Sequence, residues 1–165
     1  MHEEAITDHQ PAVSPEELKE MEQFRHVVNS RVRSYDVDRQ SIVHNAVYFY
    51  WLEAARVEYF RAIGLPIDKQ TFVSKHRFVV ARQECDYYYP AQFDDEYRVF
   101  TRVEYIKNSS FQFDQVIRLM DGTLVARAKA VMVYLNPAKH KSERIPDSYR
   151  ELIRDFEGEN VQMLE

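Results

Sequence analysis

Residues 46–63 constrain the fold more than any other stretch of the chain. Good helix formers fill the segment, and Gly64-Leu65-Pro66 behind it supplies a left-handed residue followed by a helix breaker. Its charges are few, Glu53, Arg56, Glu58 and Arg61, while apolar and aromatic side chains occupy most of the circumference. A helix of that kind is stable only when covered on most sides, so the rest of the chain has to build a layer around it.

The material for that layer follows the helix. Residues 78–89, 97–106, 111–120 and 124–135 are rich in β-branched and aromatic side chains, as strands are. Asp121-Gly122 is a two-residue hairpin signal between the last two, and Lys107-Asn108-Ser109-Ser110 is a turn between the pair before them. Successive hairpins make the sheet antiparallel. In the last strand Ala126, Ala128 and Ala130 share one face, and Ala54 and Ala55 on the helix answer them. Small side chains on both partners let a long helix lie close against a curved sheet. The class read from these patterns is α+β, a curved antiparallel β-sheet wrapped around a long central α-helix.

Ahead of the helix, residues 27–36 alternate with period two and predict a strand running into Asp36-Val37-Asp38. Ser14 as N-cap, Pro15 at the first helical position and Glu17 at the capping-box position open a short helix that ends near Phe24. Residues 1–13 lack a hydrophobic period and read as a frayed tail. Pro146-Asp147-Ser148 starts a terminal helix through about Phe156, after which the last residues are expected to fray. The chain thus divides into an N-terminal extension over 1–27, one domain over 28–157 and a tail over 158–165.

Charge and composition narrow the function. The chain has 22 Lys+Arg against 27 Asp+Glu, a net charge of -5, which argues against nucleic-acid binding. Gly64, Gly122 and Gly158 are far apart, so no glycine-rich loop exists to cradle nucleotide phosphates. The one cysteine, Cys85, cannot form an internal disulfide and has no CxxC or HExxH partner, so no metal is expected and a reducing cytoplasm is. The first ten residues are acidic and polar, unlike a signal peptide. The longest uncharged apolar run, residues 46–52, is far short of the ~20 residues a membrane span needs.

The chemistry-bearing stretch is residues 35–48, which places Asp36 and Asp38 just ahead of the helix N-terminus. First-turn N–H groups there lack intrahelical acceptors and can polarise a carbonyl oxygen, while a nearby carboxylate can act as base or nucleophile. Acyl transfer is the reaction class such a pairing serves. Spacing alone favours the plainer role, in which Asp38 or Asn45 caps the helix.

Residues 36–65 resemble the signature of the hotdog-fold acyl-CoA thioesterases of the 4-hydroxybenzoyl-CoA thioesterase class. There a DxD, a Gly-hydrophobic pair and a polar-polar-x-x-Tyr segment lead into a central helix bearing Glu-x-x-Arg. Phe78-Val79-Val80-Ala81-Arg82, Tyr89-Pro90 followed by Asp94-Asp95, the turn ending Ser110-Phe111, and Ile145-Pro146 also resemble that pattern in order and spacing. The resemblance covers about residues 28–155.

It implies a hotdog fold that hydrolyses the thioester of an acyl-CoA or acyl-carrier protein, with no cofactor beyond the CoA of the substrate. By the same resemblance Asp38 is the catalytic carboxylate and the backbone N–H near Asn45 polarises the carbonyl. His44 would orient Asp38 or line the acyl pocket, whose depth depends on Tyr48, Tyr50, Trp51, Phe72 and the tyrosines at 87–89. Phosphates would be held by Lys139, His140, Lys141 and Arg144, with Lys107, Ser109 and Ser110 in the turn nearby. Relatives pair into homodimers or homotetramers, which would also cover the edge strands of an isolated sheet.

Two positions depart from the pattern. Ser41 replaces the usual glycine and Ile42 follows it; a Cβ at 41 restricts positive φ, which predicts a loop, and an amide position, different from the family's. That departure keeps open a non-catalytic acyl-binding module. Asp38 with His44 also leaves room for a hydratase or dehydratase acting on acyl thioesters, although the D-x5-H spacing differs from the D-x4-H of hotdog hydratases. Glu53 and Arg56, three apart, are expected to pair on the helix, and Cys85 to be a small hydrophobe.

Overall fold

In the computed structural model, which describes residues 13–71, 77–136 and 138–165, the long apolar segment is a single helix held in the concave side of a curved sheet. The elements in chain order are α1 (Pro15–Met21), β1 (His26–Arg31), α2 (Val47–Ala62), β2 (Phe78–Tyr87), β3 (Glu96–Ile106), β4 (Ser110–Leu119), β5 (Leu124–Asn136), β6 (Lys141–Ser142), α3 (Asp147–Glu157) and β7 (Gln162–Met163). The main sheet has the order β1-β3-β4-β5-β2, every neighbouring pair antiparallel, with β2 and β1 at opposite edges. This is the hotdog arrangement. Among the described residues no helix is long and apolar enough to cross a membrane.

The packing follows the residue pattern. Ala126, Ala128 and Ala130 of β5 are buried on the helix side, and Leu52, Ala55 and Tyr59 of α2 meet the sheet. Ala54 does not join them. It is exposed, because one residue further round a helix of 3.6 per turn points away from the face that Ala55 buries. Arg56 crosses the interface: it is buried, donates to Gln115 at 3.0 Å and Gln83 at 2.9 Å, and pairs with the exposed Glu53 at 2.8 Å. Gln115 in turn donates to the Leu52 carbonyl and to Thr101. Gly64, at φ 95°, ends α2, as a glycine free of Cβ strain can.

On the outer face of the sheet α1 is held by ion pairs to β4 and β5. Its capping box forms, Ser14 accepting from Glu17 N–H at 3.2 Å while Glu17 accepts from Ser14 N–H at 2.9 Å. Glu17 pairs with Arg118 at 2.9 Å and Glu20 takes both guanidinium nitrogens of Arg127, at 2.6 and 2.7 Å. The helix stops at Met21, short of Phe24, which instead packs edge-on against Phe100 under Arg102. The tail read over residues 1–13 lies, apart from Val13, outside the described residues.

Two expectations are corrected. The strand predicted over 27–36 ends at Arg31, because Asp36 N–H bonds the Arg33 carbonyl and Arg33 N–H bonds the Asp36 carboxylate, which turns the chain. The C-terminal residues do not fray. Pairing with β1 stops at Thr101, leaving the far end of β3 with an open edge; β7 runs parallel along it at Tyr105 and Ile106, and Leu164 N–H reaches the Ile106 carbonyl at 2.7 Å. Beside this seam Glu157, fully buried, accepts from Tyr59 at 2.7 Å and from Val103 N–H at 2.8 Å.

Candidate active site

The chain between β1 and α2 folds into a small hairpin. Val37 bridges Val43, Asp38 N–H bonds the Ile42 carbonyl at 2.9 Å, and Ser41 N–H bonds the Asp38 carbonyl at 3.0 Å. Closing so tight a turn needs a left-handed residue, and Ser41 supplies it at φ 63°. The conformation expected to be lost with the glycine is therefore retained by serine, at a local cost of about 1 kcal/mol. The hairpin is tied to the core through Val43 N–H on the Ala91 carbonyl at 2.8 Å and a bridge from Ile42 to Gln92.

This hairpin places Asp38 in the wall of a 430 Å³ groove beside the start of α2. Asn45, Tyr48 and the tyrosines at 87, 88 and 89 line the same groove. One Asp38 oxygen, Oδ1, accepts from Gln40 N–H at 2.7 Å, and the other has no partner among the described residues. Asp36, the first carboxylate of the pair, is buried and spent on Arg33 N–H at 2.8 Å, so it braces the loop and leaves Asp38 as the carboxylate open to the groove.

Neither Asp38 nor Asn45 caps the helix. The N-cap position is Ala46, and its N–H is taken by the His44 ring at Nδ1, 3.1 Å away. His44 N–H bonds the Asp36 carbonyl and Val47 N–H the His44 carbonyl, both at 2.9 Å. The amides of Asn45 and Tyr48 are left without an acceptor among the described residues. A carbonyl oxygen brought to them would meet two donors at the positive end of a helix. His44 itself is not in the groove lining; its ring is committed to the helix end.

The sequence places Tyr87 only among the residues that set the depth of the pocket, yet it does more: its hydroxyl donates to the Asn45 carbonyl at 2.8 Å. Desolvation, with Cys85 close by, pushes the Tyr87 phenol up to about 12, which keeps it a donor at neutral pH. Tyr48 is buried, packs edge-on against Tyr87 and Trp51, and accepts from Ala91 N–H at 3.3 Å. No local sequence signal links Tyr87 to Asn45. Cys85 is half-buried and burial raises its thiol, the opposite of what a nucleophile needs. Phe72 lies outside the described residues.

A larger cleft, 590 Å³, opens on the other flank of α2 between Trp51, Tyr97 and β1. It contains neither Asp38 nor the free amides, so size does not make it the better candidate. The predicted phosphate contacts form a third place. Lys107 N–H closes the turn on the Ser110 carbonyl, the Ser109 carbonyl accepts from Tyr134 N–H, and the Asn108 carbonyl accepts from Ile145 N–H, which ties this turn to the basic loop. Lys139 lies 3.7 Å from Glu143 and Arg144 2.5 Å from Asp147, while Lys141 has no acidic partner among the described residues.

Within one chain these two places are far apart. The groove adjoins Val125, whose carbonyl accepts from Tyr88 N–H, and the basic turn adjoins Tyr134. Nine residue steps along β5 separate the two positions, about 30 Å. Asp38, Asn45 and Tyr48 are thus brought together, and Ser109, Ser110, Lys139, Lys141 and Arg144 are brought together elsewhere.

Residues 32–153 match the family model described as the Thioesterase-like superfamily. The acyl-CoA thioester hydrolase YbgC of Escherichia coli is 30% identical over 118 residues, 72% of this chain and 87% of its own. The acyl-CoA thioesterase YbgC of Haemophilus influenzae is 34% identical over 105 residues, 62% of this chain and 74% of its own. A solved thioesterase from Thermus thermophilus, complexed with coenzyme A and Zn, is 32% identical and superposes with a TM-score of 0.73, covering 83% of this chain and 97% of that one.

Proposed function

The chain belongs to the thioesterase-like superfamily, and on that premise we propose that it hydrolyses the thioester of an acyl-CoA. The reading is supported above all by one arrangement: at one groove, an Asp38 oxygen and the amides of Asn45 and Tyr48, none with a partner among the described residues. The thioester carbonyl oxygen sits on the amides. Asp38 takes a proton from water as the water oxygen attacks the carbonyl carbon, the negative charge collects on the amide-bound oxygen, and collapse expels the CoA sulfur, which recovers the proton from Asp38. Direct attack by the Asp38 carboxylate, followed by hydrolysis of the anhydride, is the alternative route to the same products.

A second copy of the chain completes the site in this proposal. The outer edge of β2 has no strand partner among the described residues and exposes Val79 and Val80, a surface that pairing would cover. Antiparallel pairing of two β2 edges sets the Tyr87 end of one against the Phe78 end of the other. Phe78 pairs with Tyr134, so the partner's basic turn arrives beside this chain's groove. The nucleotide of CoA, or the phosphopantetheine of a carrier protein, would lie on Lys139, Lys141, Arg144, Ser109 and Ser110 of the partner copy, with its thioester at Asp38.

The hydratase reading asks His44 to serve as an acid or base beside Asp38, but its Nδ1 is engaged with Ala46 N–H. The non-catalytic reading draws on Ser41 and Ile42, and Ser41 holds the left-handed turn. Turnover of a panel of short, long and aromatic acyl-CoAs, compared between the wild type and Asp38→Asn, tests the proposal. Loss of about a hundredfold or more in kcat with the fold intact is the expected result. Full activity in Asp38→Asn removes that carboxylate from the mechanism.

A further inference from the structure

The peptide joining Asn45 to Ala46 is held on both sides by side chains. Its carbonyl accepts from the Tyr87 hydroxyl at 2.8 Å, and its N–H donates to His44 Nδ1 at 3.1 Å. Because a peptide unit is rigid and planar, fixing both polar ends removes its freedom to rotate about the flanking bonds. The peptide before it, His44 to Asn45, is fixed at its carbonyl by Val47 N–H at 2.9 Å. The Asn45 N–H belongs to this second fixed plane; it has no acceptor among the described residues, and Asn45 shares the groove wall with Asp38.

We infer that Tyr87 and His44 form a clamp that positions the Asn45 amide for the reacting carbonyl, each acting through the backbone and neither touching the thioester. The inference rests on the thioesterase reading above and adds residues that it does not require. The reason for such a device lies in the sequence. Ala46 occupies the N-cap position with no side chain able to order the first turn, so the turn depends on groups from elsewhere. Tyr87 comes from the edge strand on the far side of the groove, and its ring is seated edge-on against Tyr48 at 5.2 Å, which sets the height of the hydroxyl. The clamp therefore links the wall of the groove to the donor that works inside it. Oxyanion donors act by being in place before charge develops, and a small displacement is costly in rate while leaving ground-state binding nearly alone.

Tyr87→Phe keeps the ring and removes only the hydroxyl; His44→Ala removes the acceptor, and His44→Asn restores a short one. Both Tyr87→Phe and His44→Ala are expected to lower kcat about tenfold or more with KM changed less than twofold, while His44→Asn recovers most of the loss. The double variant should fall no further than the weaker single, since one peptide is released either way. Amide hydrogen exchange at Ala46 in Tyr87→Phe supplies a readout that needs no substrate, and it should quicken severalfold. Unchanged exchange there, or kcat within twofold of the wild type in Tyr87→Phe, overturns the clamp, as does strictly multiplicative loss in the double variant. Absence of wild-type turnover, or full turnover in Asp38→Asn, counts against the thioesterase reading instead, and the exchange measurement still decides the clamp.

Discussion

Ser41 N–H donates to the Asp38 carbonyl at 3.0 Å, closing a turn in which a serine holds the left-handed φ of 63°. Ser41→Gly relieves the Cβ strain and is expected to raise stability by about 1 kcal/mol in urea melts, with kcat within twofold of the wild type. Ser41→Val, β-branched at the same φ, is expected to lose at least as much. A glycine variant less stable than the wild type would mean that the serine is not strained.

Arg56 sits under the sheet with its guanidinium shared among Gln115, Gln83 and Glu53. Arg56→Ala leaves the buried Gln115 oxygen and the half-buried Gln83 oxygen without this donor and a void beside them, and is expected to lose roughly 3 kcal/mol. Arg56→Met fills the space without charge and should lose clearly less. Equal losses in the two variants would show that the hydrogen bonds, not the volume, hold this point of the interface.

Glu17 ties α1 to the sheet. Its bond from Ser14 N–H, then its pairing with Arg118, lower its carboxyl from 4.5 to about 2. A carboxylate lowered in the folded state stabilises it fully above the unfolded value and loses that contribution as pH falls toward the folded one. Thermal midpoints of the wild type and Glu17→Gln should therefore differ at neutral pH and converge between pH 4.5 and 2. A constant gap across that window would place the effect of Gln elsewhere than in the charge.

Lys139 and Lys141 lie on the loop proposed to meet the nucleotide of CoA. Charge reversal at both is expected to raise KM for an acyl-CoA severalfold, more at low salt than at high, with kcat little changed. The same acyl group on N-acetylcysteamine, which lacks the nucleotide, should show no such difference. A KM that rises equally for both thioesters would assign the loop to something other than phosphate recognition.

The elements that proved legible in the sequence are those whose signals are local. Ser14 and Glu17 cap their own helix, Gly64 ends α2, and Gly122 at φ 97° makes the hairpin between β4 and β5. Asp38 and Asn45 were legible as a pair because the loop that joins them is short and leads straight into α2. What escaped reading depends on partners distant in the chain. β7 is two residues long and exists because β3 has a vacant edge beside Ile106. Tyr87 meets the Asn45 carbonyl only once β2 has taken its place on β5. The Ser41 conformation went against its intrinsic preference because the ladder from Val37 to Val43 leaves the turn no other way to close.

The separation of the groove and the basic turn along β5 has a consequence for mixtures. If two chains share each site, a preparation of Asp38→Asn and one carrying the loop charge reversals are each impaired alone, yet reassorted together they form hybrids in which one of the two centres draws both of its parts from undamaged copies. Such hybrids would regain activity toward acyl-CoA by complementation, in a proportion set by the mixing ratio.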